Sequence, residues 1–168
     1  MQAEKPMSYG GSSPTDFATA RGRDWPSVRQ FSVFLENRVG ALLEMVRKFE
    51  ASENRILALS VVDSADCSIV RLVLSDPERA CETFHLAGLP YLESNLLVVR
   101  LPQGHQPLAH ICKALLAAEI NIHYAYPLLV GPHRSPALAL HVDDHDAAIS
   151  ALHKEGLEIY TENELRCN

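Results

Sequence analysis

The sequence repeats itself. Adding 66 to positions in the first half finds the same residue in the second: Leu35 and Leu101, Leu42 and Leu108, Ala51 and Ala117, Glu53 and Glu119, Ile56 and Ile122. Further on the offset is 68, pairing Leu72 with Leu140, Asp76 with Asp144, Ala80 with Ala148, His85 with His153, Gly88 with Gly156 and Leu89 with Leu157. The second copy therefore holds two additional residues, and the turn-rich stretch Gly131-Pro132-His133-Arg134-Ser135-Pro136 is where they fit. A period this long exceeds that of solenoid repeats and points to a duplicated small domain. Each copy has about 65 residues, near the lower size limit for a self-sufficient core, so the two are expected to pack on one another.

Both copies carry the same order of elements. Phe31–Leu35 is a short apolar strand, and Gly40–Ser52 spaces Leu42, Leu43, Val46 and Phe49 as one face of a helix. Two strands, Ile56–Val62 and Ile69–Leu74, flank the turn Asp63-Ser64-Ala65-Asp66. Asp76-Pro77-Glu78 starts a second helix, with Asp as cap, Pro in the first turn and an acidic group against the dipole; Gly88 stops it. A short strand through Tyr91 and Leu92 completes the unit. Copy two follows with strand Leu97–Leu101, helix 106–118, strands 122–130 and 137–142, helix 146–154 and strand 157–160. The expected fold is α+β: two tandem ferredoxin-like βαββαβ units with antiparallel sheets, spanning 29–95 and 96–168. Residues 1–28, rich in Gly, Ser, Pro and charge, read as a flexible leader.

Charge narrows the partners. A net charge of −6 argues against nucleic acid and anionic membrane, both of which ask for a basic face. No apolar run approaches the roughly 18–20 residues of a membrane span, and the N-terminus lacks the apolar core of a secretory signal, so a cytoplasmic location is expected. Cys67, Cys81, Cys112 and Cys167 show no paired metal-ligand spacing, and three lie in apolar segments as small hydrophobes. His141 and His145 have i, i+4 spacing but straddle a strand end, and the neighbouring Asp143, Asp144 and Asp146 suit a helix start; no metal, cofactor or catalytic residue is assigned. Nucleophile-elbow, phosphate-loop and dinucleotide motifs do not occur.

Ferredoxin-like units host many functions. An RNA-recognition module needs aromatic residues on its third strand, which here reads Ile69-Val70-Arg71-Leu72-Val73-Leu74. A metal chaperone needs two cysteines after its first strand, where this chain has Glu36-Asn37-Arg38-Val39. A strand running into Glu36-Asn37-Arg38-Val39-Gly40-Ala41-Leu42 and a helix, followed by Asn54-Arg55-Ile56, resembles the ACT domain family. That family's signature is an Asp/Asn-x-Pro-Gly-x-Leu loop and an Ile-Asn-Ile strand start, and copy two has Ile120-Asn121-Ile122. The resemblance covers residues 30–162, and Leu59–Asp66 and Leu74–Glu78 resemble a stand-alone bacterial tandem type with no attached enzyme. Two positions depart from the signature: Val39 stands where proline is preferred, and Gln106 stands where copy one has Gly40.

The resemblance implies a non-catalytic regulatory protein that binds an amino acid or similar small metabolite between two ACT units, working as a homodimer. A zwitterion needs an anion site and a cation site close together. Free N–H groups at a helix start attract a carboxylate, Gly40 allows close approach, and Asn37 both donates and accepts. Asn37, Arg38, Val39, Gly40, Ala41 and Leu42 are therefore the expected ligand loop, with Asp63 (or Asp66) for the ammonium and Asn121 from the partnering unit. The alternative for each is local: Gly40 for the helix entrance, Asn37 for an Asx turn, Asn121 for a strand edge and the aspartates for a solvated turn. The whole-chain alternative is a partner-docking module with a vestigial pocket.

Overall fold

A computed structural model describes residues 24–63 and 67–166. Most of the leader, the Ser64–Asp66 turn and Cys167 lie outside the described residues. The first unit comprises β1 (Val28–Glu36), α1 (Ala41–Arg47), β2 (Ile56–Asp63), β3 (Cys67–Leu74), α2 (Pro77–Ala87) and the first part of β4 (Tyr91–Arg100). The second comprises the remainder of β4, α3 (Pro107–Ala117), β5 (Ile122–Pro127), β6 (Ala137–Val142), α4 (His145–Lys154) and β7 (Ile159–Tyr160); α5 (Glu162–Arg166) follows. This is the α+β, antiparallel, tandem ferredoxin-like fold expected from the repeat.

Strand β4 belongs to both units. Its residues Tyr91–Leu96 pair with β1, Leu97–Arg100 pair with β6, and Val98 and Val99 pair with β7. The sheet order is β2-β3-β1-β4-β6-β5, and the 95/96 junction falls inside β4. The outer strands then meet: Ala58 bridges Leu128, and the Leu129 N–H donates to the Leu57 carbonyl at 2.7 Å. That contact covers part of two sheet edges that would otherwise expose unpaired backbone.

Three apolar clusters follow from strand alternation. Phe31, Val33, Leu35, Val70 and Leu72 face α1 and α2, meeting Met45, Phe49, Ala80 and Phe84. Leu97, Val99, Leu140 and Val142 face α3 and α4, meeting Ile111, Leu115, Ala148 and Leu152. Residues of opposite parity, among them Val28, Val73, Leu96, Val98, Tyr126 and Ala139, fill the space between the units. The chain is thus layered helix, sheet, sheet, helix. Leu165 of α5 enters the middle layer, and Glu162 is held by Arg29 at 2.9 and 3.2 Å. Burial opposes the Arg29 charge, yet its hydrogen bonds to Glu162 and Glu78 raise its pKa above the ordinary value.

Capping fits the sequence. The Asp76 side chain accepts from the Arg79 N–H, Asp144 does the same for Ala147 so that α4 starts at His145, one residue before its expected start, and Gly88 ends α2 at φ 64°. Helix α1 is shorter than its apolar spacing predicts: it ends at Arg47 and continues in turns. Its inward face is Met45 and Phe49, while Leu42 and Leu43 are exposed, because a helix this short contacts the sheet over about one turn.

The middle layer contains a polar knot centred on the buried Gln30. Gln30 has no exposed surface; its Nε2 donates to the Ser94 Oγ and the Tyr124 hydroxyl, both at 2.8 Å, and its Oε1 accepts from the Tyr126 hydroxyl at 2.7 Å. It ties β1 and β4 of one unit to β5 of the other. Replacing Gln30 by Leu leaves the buried Tyr126 hydroxyl without its acceptor, which should cost about 1–3 kcal/mol. Urea unfolding of Gln30→Leu, Tyr126→Phe and the double variant measures it; additive losses would show that the two groups are not coupled.

Candidate functional site

The loop between β1 and α1 turns on Gly40, whose φ of 90° is a conformation that residues with a Cβ rarely adopt. Gly40 is the N-cap of α1 and no side chain caps that end; Gln106, its counterpart 66 residues on, is the N-cap of α3 and is followed by Pro107. Around this turn lies a cleft of about 780 Å³. Its floor is apolar, from Phe34, Leu35 and Met45, and its far wall comes from Ala87, Leu89 and Pro90 at the exit of α2. The rim carries both signs of charge: Arg38, Arg47 and Lys48 against Glu36 and Glu44.

Arg38 is the organising cation. Its guanidinium meets Glu44 through two bonds of 2.5 and 2.9 Å and Glu36 at 3.2 Å. The Glu44 hydrogen bonds raise the Arg38 pKa and, reciprocally, hold the Glu44 carboxyl below its ordinary range. This exposed fork is solvent-screened and exchangeable, so an incoming carboxylate can compete with Glu44 for the guanidinium.

Of the loop set singled out by sequence, Arg38 and Ala41 line the cleft. Val39 is fully exposed and Leu42 partly so, both beside the cleft rather than in its wall. The Asn37 Nδ2 donates to the Asp63 Oδ1 at 2.8 Å, which clips the loop to the end of β2. Asn121 is engaged at the start of α4: its N–H donates to the Asp143 carboxylate at 3.1 Å, and its carbonyl accepts from the Asp143 N–H at 3.3 Å. Among the described residues no group of three or more His, Cys, Asp or Glu could hold a metal ion, and no helix is long and apolar enough to cross a membrane.

A second constellation, absent from the sequence reading, lies between the units. Arg71 of β3 sits 4.1 Å over the Tyr124 ring, Tyr124 stacks on His141 at 4.7 Å, and His123 lies 5.3 Å from His141. These residues lie 52 to 70 positions from Arg71 and meet it because β5 folds back over the first sheet.

A profile of the ACT domain pair family matches residues 26–167. The chain belongs to this family. Among solved structures, the ACT pair is similar to protein BT0572 from Bacteroides thetaiotaomicron, with 22% identity over 83% of this chain and 96% of that one and a TM-score of 0.75. It also shares its fold with the ligand-free regulatory subunit of aspartate kinase from Thermus thermophilus, at 11% identity over 80% and 95% of the two chains and a TM-score of 0.52. The corresponding Thermus flavus subunit gives 11% identity, 77% and 92% coverage and a TM-score of 0.50. No curated protein matches the ACT pair in sequence.

Among the described residues the buried His141 Nδ1 has no hydrogen-bond partner, and burial, then His123, His145 and Arg71, lower the imidazole pKa. A histidine with a depressed folded pKa contributes stability that is full above its unfolded value of about 6.5. That contribution is lost as pH falls from there through the folded value. Melting temperature should therefore drop between pH 7 and pH 5 more in the native protein than in His141→Phe, which keeps the stacking. Equal drops would assign the acid sensitivity elsewhere.

Proposed function

We propose that this ACT pair is a non-catalytic regulatory protein that binds an amino acid or similar small metabolite, and that the ligand sits against the β1–α1 loop. The observation that carries this reading is the cleft itself: an apolar floor, exchangeable cations at Arg38, Arg47 and Lys48, and carboxylates at Glu36 and Glu44 within one rim. A zwitterion with an apolar side chain matches that arrangement group for group. Family membership supports it, as does the fold shared with aspartate kinase regulatory subunits. In this reading Asn37, Val39, Gly40, Leu42 and Asp63 shape the loop, and Asn121 belongs to a neighbouring unit's contribution.

The same region favours a homodimer. Val39, Leu42 and Leu43 expose 101%, 38% and 52% of their surface beside the cleft, and a second copy would cover them and close the ligand in. Those side chains are also what a docking module would present to another protein. Ligand binding separates the two readings.

At one hundred times its dissociation constant a bound amino acid adds about 2.7 kcal/mol, which raises the melting temperature by several degrees. A thermal-shift screen of the twenty amino acids should find at least one such ligand, and calorimetry should then show binding lost in Gly40→Val and Arg38→Met but kept in Gln106→Ala. Valine at φ 90° cannot hold the present turn, whereas Gln106 already has a Cβ at an ordinary φ of −135°. No shift from any amino acid at millimolar concentration would favour docking. Sedimentation should give twice the 18.6 kDa of one chain; a single-chain mass would remove the dimer from the proposal.

A further inference from the structure

The face of the first sheet that looks toward the second unit carries a row of donors. Cross-strand register sets Ser32 of β1 and Ser60 of β2 on either side of Arg71, so hydroxyl, guanidinium and hydroxyl stand side by side across three strands. Directly opposed residues hold their Cβ atoms about 5 Å apart, close enough for one small ligand to touch all three. Among the described residues no carboxylate pairs with Arg71; its contact is the Tyr124 ring. The Ser32 hydroxyl accepts from Gln30 at 3.3 Å and keeps its own proton to donate, and Ser60 makes no side-chain hydrogen bond there.

The matching row of copy two makes the contrast. Positions 32, 71 and 60 correspond to Val98, Ala139 and Tyr126, which pair in the same register and are packed in the middle layer. A half-buried, carboxylate-free guanidinium is expensive at a position that the duplicate fills with alanine. In the row itself Leu92 of β4 stands on the other side of Ser32, 63% exposed, and beyond the row toward the loop end the same face is apolar and partly open: Phe34 and Ile69 are half-buried and Val62 is 40% exposed.

We propose that Arg71, Ser32 and Ser60 form a second ligand site, for an organic carboxylate whose apolar body lies on Phe34, Ile69 and Leu92. The carboxylate takes the guanidinium fork and the two hydroxyls donate to its oxygens, while the Tyr124 ring covers one face of the guanidinium. This site adjoins the β1–α1 cleft at Phe34 alone, is centred on different polar residues, and does not rest on the amino-acid reading.

Benzoate is the probe, with benzyl alcohol as its uncharged counterpart and inorganic phosphate as the compact oxyanion, all at fixed ionic strength on the full chain. Benzoate should raise the melting temperature and bind saturably by calorimetry, and neither of the other two should match it. Arg71→Met should weaken benzoate at least about tenfold, Arg71→Lys and Ser60→Ala less, and Arg38→Met not at all. Equal benzoate affinity in Arg71→Met, or a loss on Arg38→Met, overturns the site; phosphate binding as tightly as benzoate overturns the carboxylate assignment. If Arg71→Met fails to fold, unchanged affinity in both Arg71→Lys and Ser60→Ala overturns the site just as well.

Discussion

Everything in this molecule depends on β4 serving two sheets at once. Leu96 and Val98 point into the layer between the units, Leu97 and Val99 point at α3 and α4, and all four have no exposed surface. A strand buried on both faces cannot be pulled from one unit without opening the other. The 66-residue period is thus a repeat of sequence without being a boundary of stability. The Leu57–Leu129 hydrogen bond then fastens the two sheets at the edge away from β4, and the Gln30 knot joins β1 and β4 of one unit to β5 of the other. The three ties are spread across the sheet, so the units are held as one body.

Local pattern made most of the elements legible. Strands and helices that bury one face announce it by period, and aspartate and glycine mark their ends, so α2 and α4 fall within a residue or so of expectation. What escaped lacks such a period. Glu93-Ser94-Asn95 reads as a polar connector, yet it is the middle of a ten-residue strand, since Ser94 is turned toward Gln30 and the other two face solvent. Helix α5 has a single buried apolar residue, Leu165, and is secured by the Arg29–Glu162 pair, 133 positions apart, which no window can register.

The candidate site divides along the same line. Its turn is local: Gly40 and Gln106 are both helix N-caps, as their alignment in the repeat requires. Its walls are not. Ala87, Leu89 and Pro90 come from beyond the second helix, and the Arg38–Glu44 fork decides how the rim charges stand. Of the expected residues only Arg38 and Ala41 line the cleft, because a sequence motif marks where the chain turns and the packing of α2 against the sheet decides which side of the turn is hollow.

The two copies have divided their chemistry. Copy two replaces Gly40 by Gln106 and adds Pro107, which removes an N–H from the helix start and brings a side chain to it. On the middle layer it has Leu96 where copy one has Gln30, and Ala139 where copy one has Arg71. Polar groups buried between sheets cost free energy unless satisfied, and a duplicate under no demand but stability would lose them. Copy two has the composition of such a platform: its face of the middle layer is largely aliphatic and small, with Tyr124 and Tyr126 reaching across to polar partners. Copy one carries the glycine turn, the charged cleft rim, the buried glutamine and the arginine that lies on the Tyr124 ring. The cost of those groups is borne by a unit that could not hold them alone at its size, and β4 is the means by which the apolar half stabilises the polar half.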